Sequence, residues 1–328
     1  MQSAKTKAAW PSLPLNDWAD TQATVHRWTQ IVGKTRLEFA PMENHWWQVV
    51  LYVTSNGLTT SPIPYRDGRT FAVSFDFIEH QLMAGTSDGE RRAMRLEARS
   101  VADFYAEYRQ MLQDIGIAVR IFPVPMELPD TLRFDQDRLH ASYDPAAANR
   151  AWQVLVRVDR VLKEFRARFL GKVSPSNFWW GAFDLACTRF SGRPAPLHPG
   201  GVANCPDYVM REGYSHECIS AGWWPGTAGG PIDQPAFYAY SYPEPAGYDI
   251  SRVDPAAAYY DTQLREWILP YESVRAADDP DEAVLQFLQS TYIGAADLAK
   301  WDRARLERPE GWSPPPSSAD AREKSGGP

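Results

Sequence analysis

Histidines are the residues of this chain best suited to acid–base or metal chemistry, and there are six: His26, His45, His80, His140, His198 and His216. Three of them adjoin expected strand ends. His45 lies in Asn44-His45-Trp46-Trp47, His80 follows Phe75-Asp76-Phe77, and His216 is joined directly to Glu217. A non-haem metal site needs about three ligands, for instance two histidines and a carboxylate, with positions left open. His45, His80, His216 and Glu217 supply such a set, or a metal-free acid–base pair, if their strand ends converge. No HxH, HExxH or CxxC spacing forces them together, so separate, hydrogen-bonded histidines are the competing reading. His26 on a helix, His140 at a helix entry and His198 in a Pro-Leu-His-Pro-Gly loop are expected to be structural or solvated.

A second group is polar within apolar surroundings. Asp184 interrupts the run Ala182–Ala186, and a buried carboxylate must be paired because an isolated buried charge is too costly. Arg189 or Arg193 is the natural partner, as a structural ion pair or as an anion-binding pair at a pocket mouth. Asp76 raises the same question. Cys187 beside Thr188 reads as a small core cysteine rather than a nucleophile. The loop Gly226-Thr227-Ala228-Gly229-Gly230 lacks the phosphate-cradling pattern, so no nucleotide is indicated and no cofactor class is assigned. The 13 tryptophans offer core packing and flat ligand walls. Asn44, Trp46, Trp47, Trp179, Trp180 and Trp223 are expected to wall a cleft around those polar groups.

The elements that must position these residues are legible in the periodicity. Asp144-Pro145 supplies an N-cap and a first-turn proline, after which Trp152, Leu155, Val158, Leu162 and Phe165 recur at helical spacing. Ser100 opens a second helix carrying Phe104, Tyr108, Met111 and Leu112, and Asp279-Pro280 opens a third. Gly33 and Gly171 are placed where a helix C-cap would fall. Short turns such as Ser55-Asn56-Gly57 and Arg66-Asp67-Gly68 favour antiparallel strands, since parallel crossovers need more chain. Two blocks share one word order: Gly33-Lys34 then Asn44-His45-Trp46-Trp47, and Gly171-Lys172 then Asn177-Phe178-Trp179-Trp180. The reading is an α+β protein of two similar α-β-β-β-β-α halves, an internal duplication, with antiparallel sheets covered by helices on one face. The halves are set at 13–128 and 129–307, after an N-terminal segment 1–12 and before a Pro/Ser/Gly tail 308–328 expected to be disordered.

Composition narrows the function. A net charge of −7 with no basic stripe disfavours nucleic acid. No apolar run approaches the length of a membrane span, and the first residues lack the apolar stretch of a secretory signal. Three sparse cysteines suit a reducing cytoplasm and match no zinc-ribbon spacing.

The words His26-Arg27-Trp28, Gln30-Ile31-Val32-Gly33-Lys34, Asn44-His45-Trp46-Trp47 and Phe75-Asp76-Phe77 with His80 carry a resemblance. So do Trp180-Gly181-Ala182-Phe183-Asp184-Leu185-Ala186, Thr188-Arg189-Phe190-Ser191-Gly192-Arg193, Ser215-His216-Glu217 and Gly222-Trp223-Trp224-Pro225-Gly226. Over about residues 10–303 the chain resembles an uncharacterised bacterial family, domain of unknown function 5996. That resemblance implies no activity and no catalytic residue. The expected function is therefore a small-molecule site in an aromatic-walled cleft between the halves, as an enzyme using histidines with or without a metal. The alternative is a non-catalytic binding or scaffold protein. The oligomeric state stays open.

Overall fold

A computed structural model describes residues 10–309. The chain runs α1 (Ala19–Phe39), β1 (Tyr52–Val53), β2 (Gly57–Thr59), β3 (Ile63–Pro64), β4 (Thr70–Asp76), β5 (Gln81–Thr86), β6 (Arg91–Arg95) and α2 (Val101–Asp114). It continues with α3 (Pro145–Ala167), β7 (Asn177–Trp179), β8 (Asp184–Pro194), α4 (Asp207–Gly213), β9 (His216–Trp224) and β10 (Ala236–Tyr242). Last come β11 (Tyr259–Asp261), β12 (Glu266–Pro270), α5 (Tyr271–Arg275), α6 (Pro280–Leu298) and α7 (Arg303–Leu306).

The architecture is α+β with two antiparallel sheets of six strands each, two more per sheet than the repeats and short turns predict. The first is ordered β1-β2-β4-β5-β6, with β3 paired to β4, and the second β11-β12-β10-β9-β8-β7. Their edges meet where Leu51 and Phe178 exchange two backbone hydrogen bonds of 3.0 and 2.9 Å. The expected caps form: Ser100 accepts from Asp103 N–H, Asp144 from Ala146 and Ala147, and Asp279 from Glu282. Helix α3 packs on β8 and α6, while α6 also covers β9 and β10. One continuous core joins residues of both halves, from Trp28, Phe75 and Phe104 to Val158, Leu185, Phe237 and Leu288. No helix among the described residues is long and apolar enough to cross a membrane.

The residue-level duplication does not hold. Asn44–Val49 is a 3-10 segment whose His45 and Trp46 have left-handed backbones (φ 59° and 63°), whereas Asn177–Trp179 is strand β7. The two Trp-Trp words therefore lie on different element types. The physical difference lies in the residue after the asparagine: the His45 ring needs polar partners, while Phe178 is wholly buried among core aromatics. The two halves share only the order helix, antiparallel meander, helix.

Gly33 is likewise not a cap. Helix α1 continues six residues beyond it to Phe39, and a Cβ on Gly33 would lie 2.2 Å from Cδ1 of Trp180. The glycine is there for close approach, so that an indole can lie against a helix backbone. Trp10, in the expected N-terminal segment, is buried and donates to Asp281 at 2.9 Å. The expected tail falls outside the described residues except for Arg308 and Pro309.

The contact at Gly33 generates a stability prediction against helix propensity. Alanine is the better helix former by about 1 kcal/mol, yet Gly33→Ala drives a methyl into the Trp180 ring. Overpacking of this kind costs about 1–3 kcal/mol. The variant is expected to melt several degrees below wild type by circular dichroism, and a raised melting temperature would contradict the packing.

Candidate functional site

Strand alternation divides the second sheet into two chemically distinct faces. Leu185, Cys187, Ile219, Ala221, Trp223, Phe237, Ala239 and Leu269 point into the core beneath α3 and α6. Asp184, Ala186, Thr188, Ser220, Trp224, Tyr238, Tyr240, Glu266 and Ile268 point the other way, into a cavity of about 1040 Å³. Its walls come from both halves of the chain. Trp46 and Trp47 project from the 3-10 segment, Trp179 and Trp180 from the end of β7, and Lys34 from α1. The stretch Phe122–Glu127 closes one side, and the segment Asn204–Tyr214 with α4 covers another.

The polar floor is knit by side chains that cross between strands. The Tyr238 hydroxyl on β10 donates to the Asp184 carboxylate on β8, reaching over β9. It can do so because Gly222 lies between them: a Cβ there would sit 2.9 Å from the Tyr238 oxygen and 2.4 Å from the Leu185 carbonyl. Thr188 and Ser220 share a hydrogen bond of 2.8 Å, and Tyr214 and Tyr240 one of 2.7 Å. The rings of Tyr238 and Tyr240 lie nearly parallel with centroids 6.1 Å apart.

Three carboxyl groups share this cavity without a counter-cation: Glu127, Asp184 and Glu266 have no ion pair among the described residues. Burial pushes Asp184 up to about 7, offset in part by the Tyr238 hydrogen bond and reinforced by the charge of Glu127. Burial pushes Glu266 up to about 8, with the charges of Asp184 and Asp261 adding to it, and the surrounding protein raises Glu127 although that residue is itself exposed. Near neutral pH these groups are therefore poised between acid and carboxylate.

Helix α1 sets the position of Glu127. Gln30 accepts from Met126 N–H at 2.8 Å and donates to Met126 O at 2.9 Å, clamping the residue before it. Glu127 itself has a left-handed backbone (φ 57°), uncommon for a residue with a side chain. Its carboxyl is seated against Gly181, where a Cβ would lie 2.1 Å from Oε1. One turn earlier, His26 Nε2 faces the carbonyls of Trp180 and Gly181 at 3.0 and 2.9 Å. Two acceptors require that this nitrogen carry the hydrogen, and burial lowers the imidazole to about 4, so the ring is neutral.

The chain belongs to DUF5996. That family is described as a family of unknown function, and its model matches residues 10–308. No curated protein and no solved structure matches the chain.

In this DUF5996 chain the three singled-out histidines separate. His45 and His216 are neighbours, with ring centroids 5.8 Å apart, and His45 lines the cavity. Its Nδ1–H donates to Gly213 O at 3.0 Å and its Nε2 accepts from the Lys172 ammonium at 2.8 Å. Burial and the Lys172 charge hold His45 below its ordinary value. With His45 N–H donating to Glu212 at 3.1 Å and Trp46 Nε1–H to Val209 O at 3.0 Å, the 3-10 segment fastens α4 over the cavity. His80 lies in the first sheet's β4–β5 turn, bonded to the Tyr143 hydroxyl at 2.8 Å, and is not part of the cavity. Glu217 turns away from His216 to pair with Arg193 at 2.6 Å, and Arg193 also donates to Ala299 O beyond the end of α6. Among the described residues no group of three or more His, Cys, Asp and Glu is placed to hold a metal ion.

Strand parity also overturns the expected partner of Asp184. Arg189 is five residues along the same strand and so points to the opposite face. Its guanidinium is buried over the Phe165 ring (3.5 Å to the centroid) and beside Tyr292, donating to Phe165 O. The actual partner of Asp184 is Tyr238. Trp223 faces the core for the same reason, and Trp224 takes its place as a wall. Trp46, Trp47, Trp179 and Trp180 do line the cavity, while Asn44 does not. Asp76 is held by Asn56 and by the N–H groups of Ile78 and Glu79, at 2.6 to 2.9 Å. Lys34, Glu127, Tyr238 and Glu266 are the cavity residues that motif reading missed. Alternation within Phe237–Tyr242, and a glutamate opening the apolar run Trp267-Ile268-Leu269, were signals for two of them. Lys34 stands in the repeated Gly-Lys word, which did not reveal its place in the cavity, and nothing local marks Glu127.

Linkage makes the carboxyls testable through stability. Their folded values lie above the unfolded ones, so between about pH 4 and 8 the folded state binds more protons. Each group's contribution is complete below that window and is lost as pH rises through it. Asp184→Asn keeps an acceptor for Tyr238 and cannot ionise. It is expected to melt close to wild type at pH 5 and several degrees higher at pH 8.5. Asp184→Ala leaves the Tyr238 hydroxyl unsatisfied and should lose about 1–3 kcal/mol at pH 5. Identical offsets for Asp184→Asn at both pH values would mean that the carboxyl is solvated.

Proposed function

We propose that the cavity is a small-molecule site for a largely apolar organic cation, with the cationic head held over the floor formed by Asp184, Glu266 and Glu127. The observation that carries this reading is the pair of desolvated carboxyls, Asp184 and Glu266, with the more exposed Glu127 on the same cavity wall and no positive partner beside any of the three. A protein gains nothing in stability from burying like-charged groups together. A cation seated among them converts that cost into affinity, drawing all three back toward the carboxylate form.

The walls support the same ligand class. Trp46, Trp47, Trp179, Trp224 and the stacked pair Tyr238 and Tyr240 present aromatic surface on several sides. Aromatic faces attract cations by about 0.5–2 kcal/mol per contact, more strongly when water is excluded. The volume is at the upper end for a drug-sized molecule, so the ligand has an apolar body as well as a charged head. A net charge of −7 supports steering of a cation and opposes a nucleic acid partner. The three free, buried cysteines fit the reducing cytoplasm expected from their number.

The reading is tested with benzyltrimethylammonium and its neutral carbon isostere, 2,2-dimethylpropylbenzene, by titration calorimetry in two buffers of different ionisation enthalpy. The cation is expected to bind at least tenfold more tightly and to release protons at pH 6.5, because it favours ionised carboxyls. The double variant Asp184→Asn, Glu266→Gln should lose most of that preference while still binding the isostere. Equal affinities for the two probes would refute the proposal.

A further inference from the structure

Lys34 is the cavity's unexplained group. It is buried on α1, lines the cavity, and its ammonium nitrogen lies 5.7 Å from the Trp180 ring centroid and 6.0 Å from that of Phe122. Among the described residues no carboxylate pairs with it and no acceptor binds it. Two other lysines are occupied: Lys163 pairs with Asp159 at 2.6 Å, and Lys172 donates to His45 at 2.8 Å. An amine set among aromatic rings without a counter-ion is the usual environment of a nucleophilic lysine. Its packing is specific, since the preceding residue, Gly33, is the one pressed against Trp180.

Glu127, Asp184 and Glu266 line the same cavity, but none of their charges acts on the amine; the Cys205 thiol is the group whose charge does.

We infer that Lys34 captures a carbonyl compound: its amine condenses with an aldehyde or ketone bound in the cavity. The nitrogen lone pair attacks the carbonyl carbon, forming the C–N bond while the C=O π pair moves to oxygen. A proton then passes from nitrogen to that oxygen, giving the carbinolamine. A proton taken up from solvent converts the hydroxyl to water, the C–O bond breaks, water leaves, and the nitrogen lone pair forms the C=N bond. The products are water and an iminium ion on Lys34, which carries the charge of the proton taken up, with no change of oxidation state. Burial favours the nucleophile, holding Lys34 down at about 8, so that free amine is present near neutral pH.

The inference uses the cavity but does not depend on a cationic ligand, and its test is separate. Wild-type protein is incubated with benzaldehyde and sodium cyanoborohydride at pH 7.5, and benzylated lysines are located by peptide mass spectrometry. Lys34 is expected to be modified at least tenfold faster than Lys163 or Lys300. Modification of Lys34 no faster than that of Lys163 overturns the inference. Protein that binds benzyltrimethylammonium but is not trapped would lose this inference and keep the preceding one.

Discussion

Helix α1 is buried on nearly every side although Thr24, His26, Arg27, Gln30, Lys34, Thr35 and Arg36 are polar, and each buried polar group on it has to find a partner. That demand gathers the rest of the molecule around the helix. Gln22 donates to Gly226 O at 2.8 Å, Thr21 accepts from Asp144 N–H at 2.9 Å, and Arg27 pairs with Asp130 at 2.8 Å and Asp137 at 3.3 Å. Tyr108 donates to Thr35 at 2.9 Å, and Arg36 donates to Val50 O. Through His26 and Gln30 the helix also holds the backbone at Trp180, Gly181 and Met126, the connections that carry the cavity's walls and its first carboxyl. Site and scaffold are thus joined by one set of hydrogen bonds, each worth only about 1 kcal/mol net but costly to leave unmade.

Lys34 is the exception among the cations of this helix: Arg27 and Arg36 both find acceptors, although Trp28 Nε1 is also left without one. A chain able to satisfy His26, Arg27 and Gln30 in its interior had the means to pair one more cation. Three carboxyls line the same cavity, yet none is brought against the amine. The separation of opposite charges across one enclosed space leaves both ends in need of a ligand. It also keeps both ends near the protonation state in which an amine is nucleophilic and a carboxyl is an acid.

The histidines turn out to fasten rather than to assemble. His26 ties α1 to the end of β7, His45 ties the 3-10 segment to α4 and Lys172, and His80 ties a turn of the first sheet to Tyr143. Each joins parts of the chain that are far apart in sequence, which is work that a neutral imidazole does well in a partly desolvated setting. The cover over the cavity consequently depends on two left-handed residues, His45 and Trp46, whose side chains grip α4 at Gly213 and Val209.

By itself the sequence determined the class and its local punctuation: an α+β chain, the capped starts of α2, α3 and α6, and antiparallel pairing through short turns. Those features come from periodicity and turn chemistry, which act over a few residues. The sequence also singled out Asp184 as a polar residue in an apolar strand, because a carboxyl in such a run must be accounted for wherever the strand lies. Tertiary structure alone decided the partner. Asp184 and Arg189 are five residues apart on β8 and face opposite sides, while Tyr238, two strands away, reaches across the gap left by Gly222. Likewise Asn44-His45-Trp46-Trp47 and Asn177-Phe178-Trp179-Trp180 look alike as words, but one coils and the other pairs, because backbone conformation depends on what each side chain finds around it. Glu127 had no local signature, and Lys34 was legible only as part of a repeated Gly-Lys word, since the amine's burial and its lack of a partner exist only once distant segments have packed together.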